Sequence, residues 1–139
     1  MTDIETAKAN LNGHSICLCR DGAVLTDDGK GISPMLRFIA EGRELSGYSA
    51  ADVIVGKAAA MLFVKAGVRE VYGEVMSEQG FAYLQSRSVP CACGTLTEKI
   101  INRKGDGICP MEQTVADIDD PEKGYHALAE RMAQLRKGA

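Results

Sequence analysis

Aromatic residues are scarce in this chain, 5% of 139 residues with no tryptophan, and neither sign of charge dominates: 16 Lys and Arg against 19 Asp and Glu leave a net charge of −3. A chain with no basic stripe and few stacking side chains lacks the electrostatic and aromatic footprint of a nucleic-acid binder, so no nucleic-acid partner is expected. No apolar run approaches the roughly 20 residues that cross a bilayer. The opening "MTDIETAKANLNG" is charged and has no apolar signal core, so the expectation is a cytoplasmic protein with no membrane contact. The five cysteines, Cys17, Cys19, Cys91, Cys93 and Cys109, are an odd number, and in that compartment they stay mostly reduced.

What is present is ordinary for a globular protein: 45% hydrophobic and 25% charged residues. A chain of this length buries roughly two-thirds of its unfolded surface around one core, so residues 1–139 are expected to form one domain behind a polar leader at 1–13. "SICLC" alternates, with Ile16 and Leu18 on one face and Cys17 and Cys19 on the other. Asp21-Gly22 can supply the positive φ angles of a two-residue turn, which returns Ala23 to Thr26 as a second strand. In "SPMLRFIAEG", Ser33 reads as an N-cap, Pro34 as the first helical residue and Gly42 as the stop.

The most apolar stretch, "SAADVIVGKAAAMLFVKAG", reads as a central helix ending at Gly67. Its start has two readings. Ser49 with Asp52 matches a capping box, whereas the β-branched run Val53 to Val55 suits extended chain followed by a helix from near Gly56. Gly56 and Ala58 to Ala60 have so little bulk that another backbone or a ligand can come close. "VREVYGEVMS" reads as a strand with Val71 and Val75 on one face, "EQGFAYLQS" as a helix capped by Ser77, and "VPCACGTL" as a further strand. Over 121–139, Tyr125, Leu128, Met132 and Leu135 draw one apolar stripe along a C-terminal amphipathic helix. A leading hairpin followed by alternating helices and strands predicts a three-layer α/β/α sandwich around a mixed sheet.

Candidate chemistry gathers in "NRKGDGICPMEQ". With Pro110 at the first helical position, Cys109 is the N-cap, and Glu112 falls where a side chain can reach back to the cap's N–H. Helix amides, the macrodipole and the upstream Arg103 and Lys104 would favour a thiolate, which Glu112 opposes; the other reading is a small buried hydrophobe. The backbone around Gly105 and Gly107 could cradle an anion or simply form a tight turn. Lys57 at the start of an apolar helix needs a partner or a ligand, and Asp52 is its candidate partner or only a cap. Cys17 with Cys19 and Cys91 with Cys93 could offer four thiolates if their strands were neighbours, but C-x-C is not zinc-knuckle spacing, and no metal is expected. His14 and His126 read as surface residues.

In the order "DVIVGKAAAMLF", "VYGEVMSE", "PC", "NRKGDGICPMEQ", the chain resembles an uncharacterised bacterial family of the cytidine-deaminase-like superfamily, known only as a domain of unknown function. The resemblance runs from the hairpin to the helix after Cys109, leaving the C-terminal helix uncovered, and it implies the same α/β/α layering. Zinc deaminases open one helix with H-x-E or C-x-E and the next with P-C-x-x-C. Here the first motif aligns with Lys57-Ala58-Ala59 and the second with Pro90-Cys91-Ala92-Cys93-Gly94. Zinc-activated water and its glutamate are thus both lost, and deamination is not expected.

These readings converge on a protein without metal or other cofactor that takes a small polar or anionic ligand in one cleft. Asp52, Gly56, Lys57, Asn102, Arg103 and Glu112 form the expected lining, with Cys109 as candidate nucleophile for thiol-mediated group transfer. The rival reading is a non-enzymatic regulatory or scaffold protein, and either is compatible with pairing of two copies.

Overall fold

The computed structural model describes residues 1–102 and 104–137. Where a polar leader was expected, residues Asp3–Ala9 form a helix, α1, closed by a capping box between Thr2 and Glu5. The hairpin follows as β1 (Ile16–Arg20) and β2 (Ala23–Asp27), and its turn residues Asp21 and Gly22 carry φ of 51° and 83°. Asp3 explains the docking of the leader: its carboxyl accepts the Asp21 and Gly22 amides at 2.9 and 3.3 Å.

Helix α2 (Ser33–Ala40) starts one residue earlier than expected. Ile32 is its cap, while the Ser33 hydroxyl turns back to donate to Lys30 O. The central segment takes the second of its two readings. Strand β3 (Ser49–Val55) precedes α3 (Lys57–Ala66), so Ser49 and Asp52 are strand residues and no capping box forms there. Gly67 ends α3 at φ 76°, in the left-handed conformation that favours glycine. β4 (Glu70–Ser77), α4 (Glu78–Ser86), β5 (Cys91–Thr97), the short α5 (Pro110–Thr114) and α6 (Pro121–Lys137) complete the order.

The five strands form one open mixed sheet ordered β2-β1-β3-β4-β5. β1 is antiparallel to both neighbours, and β3, β4 and β5 run parallel. The alternation read from "SICLC" separates two cores: Ile16 and Leu18 join the large one with α2, α3, α4 and α6, while Cys17 and Cys19 lie against Ala7 and Leu11. One face of the sheet therefore carries α1, and the opposite face carries most of the helical mass.

Candidate functional site

The parallel strands β3, β4 and β5 end side by side, and their exits lead to the N-terminus of α3, the N-terminus of α4, and the segment from Lys99 to Ala116. Open α/β sheets place ligands outside such strand ends. A hollow of about 230 Å³ lies here, lined by Lys57, Gln79, Lys99, Ile100, Ile108, Glu112, Gln113 and Ala116.

Glu112 organises it. A helix begins with free amides that attract an acceptor, and one expectation was that Glu112 would serve its own helix. Instead its side chain crosses to α3: Oε1 accepts from Lys57 N at 2.7 Å and Oε2 from Ala58 N at 3.0 Å. The Cys109 amide, the group Glu112 was expected to reach, donates to Ile100 O.

Gly56 makes this crossing fit. A Cβ at that position would lie 2.4 Å from Glu112 Oε1, although φ −101° and ψ −171° suit any residue. The bareness of Gly56 thus accommodates the protein's own carboxyl. Gly80 of α4 closes the other side, since its Cβ would sit 2.9 Å from Gly56 C. Burial pushes the Glu112 carboxyl above its ordinary range, opposed by the two amides and by the charge of Lys57. The Lys57 ammonium donates to Ala116 O at 3.2 Å, so the same helix start holds the middle of α5 and the chain just after it.

The sequence candidates separate. Lys57 and Glu112 line the hollow, and Gly56 backs Glu112. Asp52 lines a different hollow, with Lys30, Gly31, Val53 and Ile54, so it is neither the cap of α3 nor the partner of Lys57. Asn102 folds its loop on itself: its Nδ2 donates to Asp106 Oδ1 at 2.9 Å, its Oδ1 accepts from Asp106 N, and its carbonyl accepts from Gly105 N. "KGDG" is a tight turn, and Asn102 does not line the cleft. Arg103 lies outside the described residues.

Cys109 is the N-cap of α5 and half-buried, but its side chain makes no cap bond, and it packs against the large core. Gln79, Lys99 and Gln113 were missed. Gln79 alone had a signal, since it follows the Ser77 cap at the end of a strand.

The sheet bears on two further readings. Pro90 to Gly94 leads into strand β5, as the extended reading of this stretch expected, and the helix after α3 is α4, which opens Glu78-Gln79-Gly80. The cysteine pairs cannot meet, because β3 and β4 lie between β1 and β5 and the pairs serve opposite cores, about 14 Å apart at ordinary strand spacing. Burial pushes the thiols of Cys17, Cys19 and Cys91 up. Among the described residues, no three His, Cys, Asp or Glu side chains gather as a metal site, and no helix is long and apolar enough to cross a membrane.

A sequence model described as "TM1506: Domain of unknown function (DUF1893)" matches residues 7–132, which takes in most of the terminal helix left out of the expected resemblance. The crystal structure of a DUF1893 family protein (TM1506) from Thermotoga maritima is similar to this chain with a TM-score of 0.85 at 19% identity, covering 93% of this chain and 89% of that one. At that identity the likeness speaks for the fold alone. No functionally curated protein matches the chain.

Proposed function

Because this chain belongs to the DUF1893 family, a domain of unknown function, we propose its role from the site itself: it binds a small polar or anionic ligand in the Lys57 cleft. The observation that carries the reading is the convergence of Lys57, Lys99, Gln79 and Gln113 on one hollow of about 230 Å³, with Ile100 and Ile108 as apolar wall. A few convergent polar groups on an apolar wall are the usual make-up of a ligand site, and the volume suits a ligand below drug size. Glu112 already fills the anion seat of α3. The ligand's acceptors therefore meet the two lysine ammonium groups and the glutamine amides, and Glu112 keeps the wall in place.

The strand order with β1 reversed supports a deaminase-like reading of the fold. The helix openings argue against deaminase chemistry: Lys57-Ala58-Ala59 on α3 and Glu78-Gln79-Gly80 on α4 carry no thiol or imidazole to hold zinc. Cys109 is core packing in this reading, since it does not line the hollow and no acid or base is bonded to its sulfur among the described residues.

Thermal-shift titration with inorganic phosphate, small carboxylates and mononucleotides tests the proposal. At least one probe should stabilise the protein, and Lys57→Ala with Lys99→Ala should abolish that shift. Stabilisation that survives both substitutions would place the ligand elsewhere, and no stabilisation by any probe would favour the scaffold reading.

A further inference from the structure

The hollow beside Asp52 measures about 320 Å³ and shares no lining residue with the Lys57 cleft. Asp52, the middle residue of β3, is the last one that β3 pairs with β1, opposite Ile16, and it faces Gly73 across β4. In the order β2-β1-β3-β4-β5, the chain builds outward in one direction from β1 and in the other from β3. Asp52 thus lies on the seam between the two halves of the sheet, where the pairing of β3 with β1 ends, and the hollow opens beside it.

Its carboxyl is short of partners. Asp52 is only 8% exposed. Oδ1 accepts one long bond from Ile54 N at 3.3 Å, while the neighbouring Val53 amide is committed to Ser15 O. No cation lies within ion-pair reach among the described residues. No fully enclosed side-chain oxygen lacks a hydrogen bond, so Oδ2, which receives none at ordinary distance, borders open space. A buried carboxyl left in this condition is costly unless something donates to it. Lys30, exposed and with no ion pair among the described residues, is the charged side chain that shares the hollow, and Val53 and Ile54 supply apolar surface, Ile54 being 49% exposed.

A buried acid and an exposed lysine lining the same hollow complement a ligand with the opposite charges at its two ends. We propose that this hollow binds a small aliphatic zwitterion, its ammonium donating to Asp52, its carboxylate facing Lys30 and its carbon chain resting on Val53 and Ile54. Burial pushes the free Asp52 carboxyl up to about 7, opposed by the Ile54 and Val53 amides. The ammonium would favour the ionised form, so binding strengthens as pH rises through neutrality and releases a proton.

Titration of ¹⁵N-labelled protein at pH 8 with β-alanine and short α-amino acids, beside propylamine and propionate as single-charge controls, tests this. The amides of Gly31, Val53 and Ile54 should shift saturably with a zwitterion, less with the amine and not with the carboxylate. Asp52→Asn should weaken binding at least about tenfold, the loss of a charge-assisted hydrogen bond, and Lys30→Ala by about twofold to fivefold, as for an exposed ion pair. In unmodified protein, affinity should rise about thirty-fold between pH 5.5 and 8, following the ionised fraction of an acid with midpoint about 7. Silence from every zwitterion, equal binding of propionate, or pH-independent binding would overturn the site. Lys57→Ala and Lys99→Ala should leave these shifts untouched, so this site and the Lys57 cleft stand or fall separately.

Discussion

Asp52, in the middle of β3, and Glu112, beyond its end, are two acids drawn out of water, and burial pushes both carboxyls up. They differ in company. Glu112 receives two helix amides at 2.7 and 3.0 Å and lies beside Lys57, whereas Asp52 accepts one bond at 3.3 Å, with the Val53 amide nearby, and has no cation within ion-pair reach among the described residues. An acid with good donors becomes part of the frame. One without them is a cost that the fold carries, and such costs concentrate where ligands bind.

The largest expected effect tests the poorly served acid. Its folded carboxyl titrates at about 7 against an ordinary value of 3.8, so between those values the folded state holds more protons than the unfolded state, and stability falls as pH rises through that window. Asp52→Asn removes the ionisation and keeps an oxygen for the Ile54 amide. At pH 8 it should stabilise the protein by about 2–4 kcal/mol relative to pH 4, where it should be near neutral. Denaturant unfolding across pH 4 to 8 checks this, and equal slopes in both proteins would erase the contrast. Any falling slope that survives in Asp52→Asn is assigned to Glu112, whose raised carboxyl acts with the same sign above its ordinary 4.5.

Next in size is Gly56→Ala, which brings a methyl within 2.4 Å of Glu112 Oε1. It should cost about 2–3 kcal/mol as an overpacked contact, read as a shift in the unfolding midpoint. Glu112→Ala leaves two α3 amides without their acceptor and should cost about 1–2 kcal/mol. The backbone amides of Lys57 and Ala58 should then lose protection from hydrogen exchange while those deep in α3 keep theirs.

Much of the fold was legible because it is written locally. Asp21-Gly22 takes the positive φ angles that its turn needs, Gly67 stops α3, and Ser77 caps α4 by accepting from Gly80 N. The α1 helix escaped because only Ala7 of its residues is buried, which leaves no apolar stripe to read. The strand read after Pro90 is there too, as the edge strand β5.

The site was half legible. Lys57, Gly56 and Glu112 were all singled out, yet the sequence could not say that Glu112 crosses 55 residues to another helix, since its local spacing pointed to its own. Asp52, five positions before Lys57, read as its partner or as a cap. The strand between them sends them to separate hollows.

The central claim is that Gly56 is bare because the Glu112 carboxyl rests against it and on the α3 amides. A double-mutant cycle in unfolding free energy, comparing Gly56→Ala in the native background with Gly56→Ala in Glu112→Ala, tests it most directly. The alanine at 56 should lose most of its penalty once the carboxyl is gone, a coupling of at least about 1 kcal/mol. Penalties that simply add would contradict the clasp and, with it, the shape assigned to the Lys57 cleft.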